Sequence, residues 1–137
     1  MQPLDHLPEW SLARSRGVFA DIDDTLTTDG RLTAQAYAAL GSLHAAGLNV
    51  VPITGRPAGW CDHIARMWPV DAVVGENGAF YFAYDRAARR LVKRFRDADT
   101  ARAAHRDRLA ATRDRILAEV PGTALASDQR YREADLA

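Results

Sequence analysis

The chain has 137 residues, 47% of them hydrophobic, with 18 basic and 18 acidic side chains in balance. That suits one folded domain with a real core and excludes wholesale disorder, while the absence of a basic excess gives no support to a nucleic-acid partner. One cysteine, Cys61, precludes an internal disulfide and fits a reducing cytoplasm, and no apolar run approaches the ~20 residues that span a bilayer.

Residues 1–16 read as a polar leader with two prolines and no signal-peptide pattern. Gly17 to Ala20 is a short apolar run that empties into the acidic cluster Asp21-Ile22-Asp23-Asp24, as a buried strand ends in a loop. Asp29-Gly30 marks a turn. Thr33 can cap a helix bearing Tyr37, Leu40 and Leu43 at three-residue spacing, and Gly47 can end it. Leu48 to Ile53 predicts a second strand, against which Pro52 is a mild objection because it has no N–H to give to a ladder. Pro57 opens a further helix, predicted to turn Trp60, Ile64, Met67 and Trp68 to one face. Val70 to Val74 predicts a third strand.

Strand, helix, strand, helix, strand predicts an α/β fold with a Rossmann-like parallel sheet and crossover helices. Ligands bind beyond the carboxyl ends of such strands, and Asp21 and Thr54 both follow such ends. The pattern then changes. Ala79 to Tyr84 and Leu91 to Phe95 flank the turn-like Asp85-Arg86-Ala87-Ala88 and predict a hairpin; Asp97 to Val120 predicts a charged, alanine-rich helix; Thr123 to Ala126 is a candidate strand. The division expected is a leader (1–16), the N-terminal part of an α/β core (17–96) and the start of a second, α+β module (97–137).

Three segments carry chemistry. In Asp21-Ile22-Asp23-Asp24-Thr25, two carboxylates at a strand end can divide labour. One attacks phosphorus to form an acyl phosphate; the other protonates the leaving oxygen and later takes a proton from water. Carboxylates alone would repel phosphate, so a divalent cation is required, and oxygen ligands suit magnesium. The alternative is an acidic loop that is merely solvated or caps the next helix. In Thr54-Gly55-Arg56, a hydroxyl, an uncrowded glycine amide and an arginine can cradle phosphate; the alternative is an ordinary strand-to-helix turn. In Gly75-Glu76-Asn77-Gly78-Ala79, Asn-Gly is a turn signal by itself.

Taken together, VFADIDDTLT, VVPITGR with Thr54 lying 33 residues after Asp21, and VVGENGA resemble the haloacid dehalogenase-like phosphatases. The resemblance is to the branch with Cof-like sugar phosphatases and sucrose-phosphate phosphatase-like enzymes. It covers roughly residues 17–95, and ASDQRYREADLA is similar to part of that branch's cap domain. The resemblance implies a Mg2+-dependent phosphomonoester hydrolase acting on a sugar phosphate or similar small metabolite. Asp21 would be the nucleophile and Asp23 the general acid/base. Both would serve the metal, Asp23 through its backbone carbonyl. Thr54, Gly55, Arg56 and Asn77 would bind substrate. The oligomeric state is left open.

The family's catalytic lysine and later acidic metal ligands are not evident. Lys93 is the only lysine and precedes the cap, and Ser127-Asp128 with Glu133 and Asp135 only imitates the acidic cluster. This keeps open a non-catalytic or truncated relative. A response-regulator receiver would need its phosphoacceptor after the third strand, where Gly75-Glu76-Asn77 offers no aspartate. Cys61, Asp62 and His63 are consecutive and point apart on a helix, and the four histidines have no zinc spacing. The arginines from Arg102 to Arg115 alternate with acids and read as a solvated helix face.

Overall fold

The computed structural model describes residues 6 and 8–137. The leader assignment therefore falls partly outside the described residues, and its remainder contains a short helix, α1 (Glu9–Arg14). Strand β1 (Gly17–Asp21) runs one residue further than the apolar pattern predicts and carries Asp21 as its last residue. A single wide turn, Ile22–Leu26, follows, in which Asp24 takes left-handed backbone (φ 56°). The Thr27 hydroxyl holds that turn, accepting from the Asp24 N–H and donating to the Ile22 carbonyl. Two-residue strands β2 (Thr27–Thr28) and β3 (Arg31–Leu32) form a small antiparallel flap. Its turn places both Asp29 and Gly30 at positive φ, the geometry for which Asp-Gly is suited.

Helix α2 (Ala34–Ala45) is capped by Thr33, whose hydroxyl accepts from the Ala36 N–H at 3.1 Å. Strand β4 (Asn49–Ile53) then lies parallel to β1, with Asp21 opposite Ile53. Pro52 is tolerated for a local reason. The N–H groups on either side of it facing β5 go to the Asp71 carboxylate (from Val50) and to the Val74 carbonyl (from Thr54). The β4–β5 ladder has not begun at Pro52, so no bond is lost there.

Helix α3 (Ala58–Met67) leads to β5 (Val73–Gly75), parallel to β4. The hairpin β6 (Phe80–Asp85) and β7 (Arg90–Phe95) continues the same sheet antiparallel, giving the order β1-β4-β5-β6-β7. Helix α4 (Asp99–Glu119) follows. Thr123 to Ala126 joins no ladder; its end is held by a hydrogen bond from the Ala126 N–H to the Ala137 carbonyl. The expected α/β, Rossmann-like core is present as a mixed, mostly parallel sheet flanked by helices.

The core gathers Ile22, Leu40, Val50, Cys61, Ile64, Val73, Phe80 and Phe82. The face that α3 turns inward matches the expected one only in part: Ile64 is buried and Trp68 packs against the core, but Ala58, Cys61 and Ala65 complete the buried face while Met67 is 62% exposed. Small residues win because the helix packs close to the sheet. A Cβ on Gly75 would lie 2.6 Å from the Cys61 sulfur. Among the described residues no helix is long and apolar enough to cross a membrane.

Candidate active site

The parallel register sets β1 and β4 to end side by side, so Asp21 and Thr54 emerge at one edge of the sheet. Asp21 is exposed there. Two residues on, Asp23 is half-buried and is gripped by Arg56. The Arg56 Nε lies 3.2 and 3.1 Å from the two carboxylate oxygens, and Nη2 lies 2.7 Å from Oδ1. This two-oxygen fork is the geometry in which guanidinium–carboxylate pairing is strongest. The Asp23 hydrogen bonds and charge, with Asp128 adding to them, hold the Arg56 pKa above its ordinary value, against desolvation. Arg56 is therefore a permanent cation. Its guanidinium also stacks on Trp60, 4.6 Å from the ring centre.

Thr54 is only 2% exposed. Its hydroxyl accepts from the Arg56 N–H at 3.0 Å, which closes the Thr54-Gly55-Arg56 loop on itself. Its carbonyl accepts from the Asn77 N–H at 3.2 Å. Asn77 has left-handed backbone (φ 55°), and its side-chain amide lies over Gly55, where a Cβ would stand 3.1 Å from Oδ1. Gly55 allows this close approach; a side chain there would press the Asn77 amide to yield. Five of the six expected residues fall into one connected arrangement: Asp23 on Arg56, Arg56 on Thr54, Thr54 and Gly55 on Asn77; Asp21 stands at the neighbouring strand end, opposite Ile53.

The acidic residues near the C-terminus are engaged otherwise. Asp128 and Asp135 pair with Arg132, and Glu133 pairs with Arg102. No group of three or more metal-ligating side chains occurs among the described residues. Lys93 sits on β7 with its ammonium 4.9 Å from the centre of the Phe82 ring. Arg102 departs from the solvated face expected of it: its side chain is 15% exposed, lies over Phe95 and pairs with Asp99 and Glu133.

Two features went unread in the sequence. Glu76, treated as part of a turn, is a buried carboxylate that accepts from the Ala58 N–H at the start of α3, just after the Thr54-Gly55-Arg56 loop. Trp60 is 46% exposed and, with Gly59, His63 and Tyr131, lines a pocket of about 390 Å³ on the outer side of α3. An acid between an apolar strand and Asn-Gly was the one available signal for Glu76; nothing local announces the pairing of Tyr131 with Gly59.

A model of the haloacid dehalogenase-like hydrolases matches residues 18–110. The chain belongs to the haloacid dehalogenase-like hydrolase family. Among solved structures it is similar to a haloacid dehalogenase-like hydrolase from B. subtilis, with 24% identity and a TM-score of 0.53. That match covers 73% of this chain and 34% of the other. It is also similar to BT1666 from Bacteroides thetaiotaomicron, described among phosphatases of the haloalkanoate dehalogenase superfamily. There the identity is 23%, the TM-score 0.52, and the coverage 82% of this chain and 40% of that one. These likenesses establish the fold. The chain spans two fifths or less of the length of either structure. No curated protein matches it.

Proposed function

We propose that the protein is a magnesium-dependent phosphomonoester hydrolase that works through an aspartyl phosphate on Asp21, with a sugar phosphate or similar small metabolite as substrate. The observation that carries this reading is the Asp23–Arg56 fork beside the exposed Asp21, with Thr54 on the neighbouring strand end. A nucleophile, a proton carrier and a phosphoryl-binding loop share one sheet edge.

The chemistry is a double displacement. An Asp21 oxygen bonds to phosphorus as the bond to the substrate oxygen breaks, and the Asp23 carboxyl gives its proton to that oxygen. Water then bonds to phosphorus, loses a proton to the Asp23 carboxylate, and breaks the phosphorus–oxygen bond to Asp21. The arginine fork fixes the orientation of the Asp23 carboxylate, which suits its part in the second step. For the first, Arg56 transfers its hydrogen bonds from Asp23 to the phosphoryl oxygens, leaving Asp23 free to carry a proton.

The donors at Asp21 and Asp23 are hard oxygens. They fit Mg2+, which takes one or two carboxylates and fills its remaining positions with water and phosphate. By the family resemblance, Asp21 and the backbone carbonyl of Asp23 would hold it. When bound, the ion supplies positive charge against the repulsion between carboxylate and phosphate. Residues 97–137 we assign to the start of a cap, which would read the leaving group, and 17–96 to the core.

Beryllofluoride with magnesium, added to the full-length parent (the whole protein that, on this reading, contains the chain), is expected to modify Asp21, and Asp21→Asn to abolish both that adduct and phosphate release. Phosphate trapped by mass spectrometry on another residue would overturn the assignment.

A further inference from the structure

Glu76 is 3% exposed, and among the described residues no side-chain cation bonds to it. Its carboxylate is satisfied by four backbone N–H groups instead. Oε1 accepts from Ala58, the first residue of α3, at 3.0 Å and from Glu133 at 2.9 Å. Oε2 accepts from Glu133, Ala134 and Asp135 at 3.1, 2.6 and 3.2 Å. Three successive N–H groups converging on an anion form a nest, and the start of α3 adds the positive end of a helix. Glu76 reaches this position with left-handed backbone (φ 44°), which residues bearing a Cβ rarely adopt.

The segment clamped this way also touches the site. Arg132 donates from Nη1 to the Gly55 carbonyl at 3.1 Å and to the Asp135 carboxylate at 2.8 Å. Tyr131 packs where a Cβ on Gly59 would meet it at 3.1 Å. The Glu76 N–H itself donates to the Arg56 carbonyl at 3.3 Å. One residue therefore holds the peptide of Arg56 through its backbone and the strap 131–135 through its side chain, while the strap holds Gly55 between Thr54 and Arg56.

We propose that Glu76 is a positioning residue of the site: its carboxylate docks residues 133–135, and through Arg132 this fixes the Thr54-Gly55-Arg56 loop and the Arg56–Asp23 fork. The word "site" rests on the phosphatase reading, but the test does not use activity, so the two stand or fall separately.

The test is ¹⁵N NMR on the 137-residue chain. In Glu76→Gln one acceptor oxygen becomes an amide group facing N–H donors. The amides of Glu133, Ala134 and Asp135 should exchange at least roughly tenfold faster, because each bond to a charged acceptor is worth that much or more. The Arg56 Nε–H resonance should move toward that of a free arginine, while the amides of β1 and β4 stay protected. Arg132→Gln should move the Arg56 resonance and leave Ala134 protected, since the buried carboxylate is untouched. Should Glu76→Gln also lose core protection, Arg132→Gln alone decides. Unchanged exchange at 133–135 in the folded Glu76→Gln chain, or an unchanged Arg56 resonance in Arg132→Gln, would overturn the proposal.

Discussion

Arg56 closes on Asp23 across 33 residues of sequence, with contacts to both carboxylate oxygens. A lysine carries the same charge but cannot present two parallel donors. Arg56→Lys in the full-length parent should therefore cut phosphate release by roughly 10²-fold, the scale of losing one oriented donor to a developing anion. Because the Arg56 and Asp23 side chains are 35% and 42% exposed, stability should change by less than about 1 kcal/mol. Parallel turnover and thermal-melt measurements check this. A large loss of stability with little loss of turnover would make the fork a structural pair only.

Asp21 and Asp23 are expected to fail differently when replaced. Asp21→Asn should leave no covalent intermediate. Asp23→Asn keeps the nucleophile and should slow turnover by roughly 10²–10⁴, the usual contribution of a positioned proton carrier. Single-turnover kinetics with the parent separate the two, and an unchanged rate for Asp23→Asn removes it from the mechanism.

The 137-residue chain alone should release little or no phosphate. No third acid joins Asp21 and Asp23 among the described residues, and Lys93 lies over Phe82. Robust metal-dependent release by the purified chain, lost in Asp21→Ala, would contradict this.

What could be read from the sequence, and what could not, divides along a physical line. The strands at Gly17–Asp21 and Asn49–Ile53 announced themselves as continuous apolar runs, the pattern of parallel strands covered on both faces, although β1 is an edge strand with no fully buried residue and Phe19 69% exposed. Asp21 and Thr54 followed because strand ends define the crevice. The inward face of α3 was partly misjudged because periodicity ranks residues by size and hydrophobicity. The close approach of Gly75 instead favours Ala58, Cys61 and Ala65. The role of Glu76 depends on the backbone of residues 133–135, more than fifty positions away, and no local pattern encodes it.

Cys61 is fully buried, and its thiol pKa is pushed up to about 12, by desolvation first and the Glu76 charge second. It should resist thiol reagents at neutral pH until the chain unfolds, and react at once in denaturant. The same shift gives a pH dependence. The raised folded-state pKa means that the stabilisation is complete below the ordinary value of 9.0 and is lost as pH rises toward about 12. Cys61→Ala should lower stability at neutral pH yet flatten its decline above pH 9, a difference that denaturant melts at several pH values will resolve. Equal slopes for both proteins would mean that the thiol ionises as easily folded as unfolded.

Gly75 ends β5 with ordinary extended backbone (φ −118°, ψ 167°), so no conformational demand requires glycine there. The demand is space. A Cβ would lie 2.4 and 2.5 Å from ring atoms of Phe80 and 2.6 Å from the Cys61 sulfur, far inside contact distance. The ring cannot simply rotate away, because it is stacked on Phe82 at 4.4 Å and meets Phe95 edge-on at 5.6 Å. Gly75→Ala should therefore destabilise by about 1–3 kcal/mol, the usual cost of overpacking a core. It should also disturb the site, because the next two residues are Glu76 and Asn77. Phe80→Leu removes the ring atoms that collide and should be costly alone. Combined with Gly75→Ala, however, it should cost less than the sum of the two changes, since the two groups compete for one volume. Additive losses in the double variant would show that the backbone at Gly75, rather than the Phe80 ring, is what refuses a side chain.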